Sequence, residues 1–325
     1  MSTVTTTTLS AEMKTFYDMR LIDEASPMLV HEQFGQKRPI PQGGGKTVNF
    51  RRFSPLAKAT TALTEGVTPS GSSLSVSSIS AIVAQYGDYV VQSDVLELTA
   101  VDNTILETTK LLGRQAGLTM DTIVRNALLL GTNKSYAPKY VADTNGNLEV
   151  TKTADLDTSA KLTVDVVQRV VAKLRAQNAP TIGGDYVCII HPYVAYDLMR
   201  DPEWIDAHKY ATPENLYTGE IGKMAGVRFV QSTEAKIDKG GSDNPSGLAV
   251  FHCLFIGDGA YGVTEVTGGG LQTIVKQKGS SGTADPLDQR SSVGWKGLKA
   301  AKILVDNYLV DLMCCSKFSA TATAN

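Results

Sequence analysis

Apolar residues recur every three or four positions between Asp102 and Gly131: Ile105, Leu112, Ala116, Met120, Ile123, Ala127 and Leu130. That spacing places them on one face of a helix. It predicts a rod of about 45 Å, capped by Asp102 and stopped at Gly131. Gly113 and Gly117 interrupt the pattern; each weakens a helix by up to ~1 kcal/mol relative to Ala but lets a neighbour approach closely. A second helix is predicted over Thr163–Gln177 through Val166, Val167, Val170, Val171 and Leu174. A third starts at Pro192, and a short one follows Ser10 through Met13, Phe16 and Leu21. Strand patterns cover Val48–Phe53, Val76–Val91, Tyr186–Ile190, Val227–Val230, Leu248–Ile256 and Leu271–Lys278. Two further apolar runs, Leu298–Val305 and Leu309–Cys315, are split by Asp306-Asn307. Asn145-Gly146 is a hairpin turn signal, because both central positions of a type I′ turn need positive φ. Pro39 and Pro41 make His31–Gln42 an extended arm. Helices and strands mix without a fixed repeat, so the class is α+β.

The two strand patterns Val48–Phe53 and Val76–Val91 flank Ser54–Ser75, a stretch rich in Pro, Gly, Ser and Thr. They read either as unrelated strands joined by an ordinary loop or as one long hairpin. Arms of ~20 residues at ~3.3 Å each would reach up to ~60 Å. A compact chain of this length has a radius of gyration of only ~20 Å. Such a hairpin would have to lie on something other than its own body.

Composition narrows the function. The chain has 325 residues, enough for roughly two domains. Its 31 basic and 33 acidic residues leave a formal charge of −2, which argues against a protein that grips nucleic acid or an anionic membrane through a large basic surface. No apolar stretch approaches the ~20 residues that span a bilayer, and Met1–Thr8 has neither the basic nor the apolar region of a secretory signal. Cys188, Cys253, Cys314 and Cys315 sit among apolar residues and read as reduced, buried thiols.

Motifs that would carry chemistry fail on their surroundings. Gly45-Lys46-Thr47 resembles the end of a phosphate-binding loop, but Ile40 stands where the first Gly belongs and a strand follows instead of a helix. Gly257–Gly262 matches G-x-G-x-x-G, yet Val263–Thr267 alternates as a strand, so a tight turn between strands is the better reading. Cys188 and His191 point to opposite faces of a strand, and with His252-Cys253 they offer no convergent zinc ligands. Asp143, Asn145, Asn147 and Glu149 imitate a calcium loop, but the Gly and Glu fall at the wrong positions. Asp201-Pro202-Glu203-Trp204 reads as a helix start with an aromatic anchor. Catalytic, cofactor-binding and metal residues are therefore all expected to be none.

The order of several short runs resembles the major capsid proteins of tailed bacteriophages (Caudoviricetes), whose shell fold is shared with encapsulins. Those runs are Leu9–Tyr17, Phe34-Gly35-Gln36-Lys37, Pro39-Ile40-Pro41 and Gly44-Gly45-Lys46-Thr47. They continue with Ala59-Thr60-Thr61, Leu63–Pro69 and Gln85-Tyr86-Gly87-Asp88-Tyr89, and later with Asp285–Arg290 and Gly294-Trp295-Lys296. The resemblance implies an N-terminal arm over 1–46, a protruding E-loop hairpin over 47–92 and a peripheral domain over 93–158 with a spine helix at 102–131. An axial domain over 159–269 and a return to the peripheral domain over 270–325 would follow.

It further implies a structural protein, not an enzyme, that assembles as hexamers and pentamers into an icosahedral head around double-stranded DNA. It would be made in a bacterial cytoplasm and end in the virion. Scaffolding, portal and decoration proteins are possible partners, DNA contact is weak and non-specific, and no membrane is involved. Because the first helix begins near residue 10, a scaffold would be a separate chain or absent. No lysine–asparagine pair matches the covalent cross-link of one branch. Arg51, Arg52, Lys58 and Glu65 are candidate inter-subunit contacts; as solvated surface groups each would contribute under ~1 kcal/mol. The alternatives are an encapsulin-like compartment, a tail or portal component forming a ring or tube, and an α/β nucleotide-binding enzyme.

Overall fold

The computed structural model describes residues 21–25, 28–39, 45–53, 56–68, 70–99, 104–141, 146–208, 221–240, 247–265, 271–278 and 286–325. In chain order the strands open with β1 (Gln36–Arg38), β2 (Thr47–Phe53), β3 (Val76–Ile82) and β4 (Ala84–Ser93). Helices α1 (Asp94–Thr99) and α2 (Thr104–Leu128) follow, then β5 (Lys134–Tyr136), β6 (Lys139–Val141) and β7 (Gly146–Leu148). The middle of the chain holds α3 (Val164–Ala176), β8 (Tyr186–Ile190), α4 (Pro192–Met199), α5 (Pro202–His208), β9 (Lys223–Met224), β10 (Val227–Gln231) and β11 (Ile237–Lys239). The remainder is β12 (Ala249–Ile256), β13 (Tyr261–Thr264), β14 (Leu271–Lys276), β15 (Arg290–Lys299), β16 (Ala301–Ile303) and β17 (Leu309–Cys314).

The largest sheet runs β5-β17-β12-β8-β10-β9, with β11 also paired to β12. Its central strand β8 is buried at every position. Alternation explains this. Tyr186, Cys188 and Ile190 face the apolar stripe of α3 and α4, while Val187 and Ile189 face Val124 and Leu128 of α2. A strand covered on both faces reads as a continuous apolar run. Thr163 caps α3 by accepting from the Val166 N–H, as the sequence pattern predicts.

The other half of α2 packs on a second sheet, β14-β15-β4, through Leu112, Ala116, Met120, Leu271, Val293 and Trp295. A helical segment over 21–25 lies along this half of α2, with Leu21 at Gly113 and Ala25 at Gly117. A Cβ on Gly117 would stand 2.6 Å from the Ala25 carbonyl oxygen, so the glycine is what permits the close approach. The predicted start at Ser10 and the Asp102 cap lie outside the described residues.

Several expectations change or gain detail. The hairpin ladder pairs only seven residues per strand, from Thr47↔Ile82 to Phe53↔Val76, and not the ~20 per arm needed for a 60 Å reach. After Val83 the returning chain enters a different sheet, where β4 pairs β15 from Lys299↔Ala84 to Arg290↔Ser93. Within the expected hairpin span 47–92 the pairing partner thus changes at Val83. Within 270–325, β14 and β15 join β4, while β17 inserts between β12 and β5 in the large sheet. Finally, β6 and β7 pair with Val141 opposite Gly146, which makes the connection four residues long, not a two-residue turn centred on Asn145-Gly146. Gly146 belongs to the ladder. The expected extended arm holds a turn at 31–34 before β1.

Candidate functional site

The β2–β3 ladder is anchored at one end only. Val48 and Phe50 on β2 turn inward and are buried, while Thr47, Asn49 and Arg51 face outward. The Phe50 ring lies over Gly262 of β13, where an added Cβ would stand 2.3 Å from a ring carbon. Val48, Ala81 and Val83 complete the foot against Ala300, Leu304 and Val305. The Val83 N–H donates to the Lys46 carbonyl at 2.8 Å, fastening the point where both strands leave the body. Burying each large apolar side chain here contributes about 1.5–3 kcal/mol.

Beyond Arg52 the inward packing stops. Phe53 is 58% exposed, Leu63 77% and Leu74 65%, with Leu56, Val67 and Val76 also open. Any single exposed apolar residue is ordinary on a protein surface; what stands out is how many of them one loop carries. The four charged candidates separate here. Arg51, Lys58 and Glu65 are exposed. Arg52 is half-buried, and its Nη1–H donates to the Leu304 carbonyl at 3.4 Å, tying it to its own subunit.

The floor beneath Phe50 is held by buried polar contacts. The His31 backbone N–H donates to Asp121 Oδ1 at 2.7 Å, and His31 Nδ1 lies 2.6 Å from Asp121 Oδ2. Lys299 Nζ donates to Glu32 Oε2 at 2.5 Å and to the Thr264 carbonyl at 3.1 Å. Burial lowers the pKa of Lys299, and the Glu32 carboxylate opposes that shift. The Tyr261 hydroxyl donates to the His31 carbonyl at 2.5 Å, and β1 pairs in parallel with β13. Removing one partner of such a buried pair costs about 3–5 kcal/mol. The arm therefore grips the strand on which the hairpin stands.

The motifs with a chemical look have structural work. Gly45 and Lys46 lead directly into β2. Gly257–Ala260 turns between β12 and β13, and Gly262 is the Phe50 socket. Cys188, Cys253 and Cys314 are buried together, with 3.7 Å between the Cys253 and Cys314 Sγ atoms. Burial raises the Cys188 thiol well above its usual pKa and pushes Cys315 up to about 12. His191 Nδ1 accepts from the Tyr193 N–H at 3.2 Å and caps α4. His252 lies between two carboxylates, with Nδ1 2.9 Å from Asp311 Oδ2 and Nε2 2.9 Å from Asp238 Oδ2. Burial disfavours the His252 cation, but these two hydrogen bonds outweigh it and raise its pKa to about 9.

Asp201 links two helices, accepting from the Val164 N–H at 2.9 Å and the Glu203 N–H at 3.1 Å. Trp204 packs edge-on against Phe229 at 5.6 Å. Asp143 and Asn145 lie outside the described residues; Glu149 stands 3.6 Å from Arg169.

Periodicity alone does not join Phe50 to Gly262. Their signal is a large aromatic on the inward phase of β2 and a glycine on the strand that follows a turn. Among the described residues no helix is long and apolar enough to cross a membrane.

Comparison with known proteins bears on this arrangement. No curated protein matches the chain by sequence. The capsid of Ralstonia phage GP4 superposes with a TM-score of 0.67 at 15% identity, covering 87% of each chain. The capsid of cyanophage P-SCSP1u gives 0.63 at 15% identity, again with 87% of each. The head structure of Helicobacter pylori bacteriophage KHP40 gives 0.65 at 12%, covering 86% of this chain and 88% of that one. At these identities the likeness shows a shared fold. The family described as phage capsid protein matches residues 54–309, which runs from the exposed loop of the hairpin to the first residue of β17. The chain belongs to the phage capsid protein family.

Proposed function

We propose that this chain is the major subunit of a closed icosahedral head enclosing double-stranded DNA, set out as hexamers and pentamers. As a capsid protein it is a structural, non-catalytic part of the phage head shell and works as many copies in the virion. The observation that carries the finer reading is the hairpin, buried at its foot and apolar but open at its tip. A free-standing subunit gains nothing from such a tip. In a shell, each copy covers the tip of the next, and many modest contacts sum to a closed structure while single ones remain correctable.

Arg51, Lys58 and Glu65 supply charge for that contact, with Arg52 fixing the loop's departure. A formal charge of −2 limits repulsion between crowded copies and leaves DNA contact weak and non-specific. The test is negative-stain microscopy of the purified chain across concentration and salt. Closed shells are expected. Rings or tubes alone would overturn the closed icosahedral arrangement, and a monomer under every condition would end the proposal.

A further inference from the structure

Charge is spread unevenly along the chain. Residues 33–87 hold six bases, Lys37, Arg38, Lys46, Arg51, Arg52 and Lys58, and a single acid, Glu65. That span carries +5 in a chain whose formal charge is −2, so the rest sums to −7. Lys58 and Glu65 lie in the exposed loop, and Arg51 is on the outward phase of β2. The other bases gather at the root, where the hairpin leaves the body.

Strand pairing places them. Gln36 of β1 and Lys302 of β16 stand on either side of Gly262, so Lys302 flanks the glycine on which the Phe50 ring rests. Arg38 follows two residues along the same face of β1, beside Thr264. Lys46 immediately precedes β2, and Arg52 is bound to the Leu304 carbonyl, two residues past Lys302. Lys46 and Lys302 are exposed, and Arg38 and Arg52 are half-buried.

The chain does little to neutralise this group. Glu32 holds Lys299 and Asp121 holds His31 in the buried floor, while Asp306 accepts from the Thr132 N–H at 3.0 Å. Glu265, just past β13, leaves four bases to one acid around the root. Among the described residues Arg38, Lys46 and Lys302 are in no ion pair. Arg38 Nε is buried without a hydrogen-bond partner. The body is different: Lys110 is matched by Glu107, Arg169 by Asp165 and Lys223 by Asp185.

We propose that the root of the hairpin is a site for the phosphate groups of duplex DNA. The inference rests on the reading of the chain as a shell around DNA, and it assigns that contact to residues. Tip and root suit different partners. The tip is apolar with its two charges balanced, which fits a second copy, whereas the root is cationic, which fits a polyanion. The acidic body of a second copy is the competing occupant. Glu107, Asp165 and Asp185 there are already engaged by bases of their own chain, while every phosphate of a duplex is open to contact. About four phosphate contacts per copy give weak, sequence-independent binding, in keeping with a chain of near-zero net charge.

The test is fluorescence anisotropy of a short labelled duplex of random sequence, titrated with the full chain below the concentration at which it assembles. With about four contacts the association constant should fall about a hundredfold as salt rises from about 0.05 M to about 0.2 M. In the double variant Lys46→Gln, Lys302→Gln, about two contacts remain and the fall should be only about tenfold. If that variant does not fold by circular dichroism, either single variant decides, with a fall of about fortyfold. The control is Lys276→Gln, Lys296→Gln, on the exposed outer face of β14 and β15, which should keep the parent's fall. A parent that does not bind the duplex at the lower salt would overturn the site while leaving shell formation untouched. So would a root variant with the parent's salt dependence, or an equal loss in the control. A root variant that binds DNA as the parent does but needs a higher concentration to form shells would give the root to a second copy, and the proposal would fall.

Discussion

Phe50 and Phe53 stand three residues apart on one strand and have opposite surroundings. Phe50 is wholly buried against Gly262, whereas Phe53 is more than half exposed. The same ladder thus has a foot packed into the subunit and a tip left open on it. Hydrophobic burial is local to what lies across from a side chain, so one element can serve folding at one end and assembly at the other. The difference gives a direct way to separate the two roles, because a change at the foot should be felt by an isolated subunit and a change at the tip only by a shell.

The largest effect is expected from removing the tip altogether. Deleting Pro55–Ser73 leaves the foot, the long helix and the two sheets packed on that helix intact, so circular dichroism and the denaturation midpoint should be near those of the full chain. Closed shells should be absent by microscopy. Normal particles from this deletion would show that the tip is an ordinary loop.

Next is the pair of alanine substitutions. Phe50→Ala removes a buried ring above a glycine that cannot fill the space, and should destabilise the isolated subunit by about 3–5 kcal/mol in urea. Phe53→Ala should change subunit stability by less than ~0.5 kcal/mol and still reduce shell yield. Equal effects on the subunit would erase the distinction between foot and tip.

The body contains a titration that the tip lacks. His252 is held near pKa 9 by Asp238 and Asp311, against 6.5 for a free histidine. Its folded-state pKa is the higher one, so its stabilisation is complete below about pH 6.5 and is lost as pH rises through 9. The loss is about 3 kcal/mol, as an order of magnitude. Urea titrations of the subunit between these pH values should show the decline, and His252→Gln should start lower and stay flat. Removing Pro55–Ser73 should not alter the slope, since none of the three groups lies in the hairpin.

How much of this was legible follows from where each signal lies along the chain. Helix α3 could be read to within a residue, because its stripe and its Thr163 cap are both local. The strand β8 was legible for the same reason, since Tyr186–Ile190 is a local apolar run. The split at Val83 was not. The alternation breaks at Ile82-Val83-Ala84, where the inward phase passes from Ala81 and Val83 to Tyr86 and Gln92, but nothing in those residues records that the partner changes from β2 to β15. Nor does the apolar run Leu309–Cys315 announce that β17 pairs with β12, far earlier in the chain. At the candidate site, charge type and position pointed to Arg51, Arg52, Lys58 and Glu65, but the Leu304 carbonyl that binds Arg52 lies 252 residues away. The carboxylates around His252 are likewise distant, at 14 and 59 residues. Local physics determined elements; long-range pairing determined which of their faces were left for a neighbour.

The smallest effects are expected from the charges on the tip, and they refine the comparison most. Lys58→Ala and Glu65→Ala should each leave the isolated subunit within ~0.5 kcal/mol of the parent, because both side chains are exposed on it. In a shell each contact is worth under ~1 kcal/mol, but it recurs in every copy, so the protein concentration at which assembly begins should rise measurably. The increase should shrink as salt is raised from 0.05 M, where screening reaches about 14 Å, toward 1 M, where it falls to about 3 Å. Arg52→Ala should behave differently. Its guanidinium is bound to the Leu304 carbonyl at the foot, so part of its effect should appear in the urea midpoint of the isolated subunit and persist at high salt. Light scattering against concentration, run at both salts for all three variants, measures this directly. If Arg52 behaves as Lys58 does, the boundary between foot and tip lies one residue earlier than the packing places it.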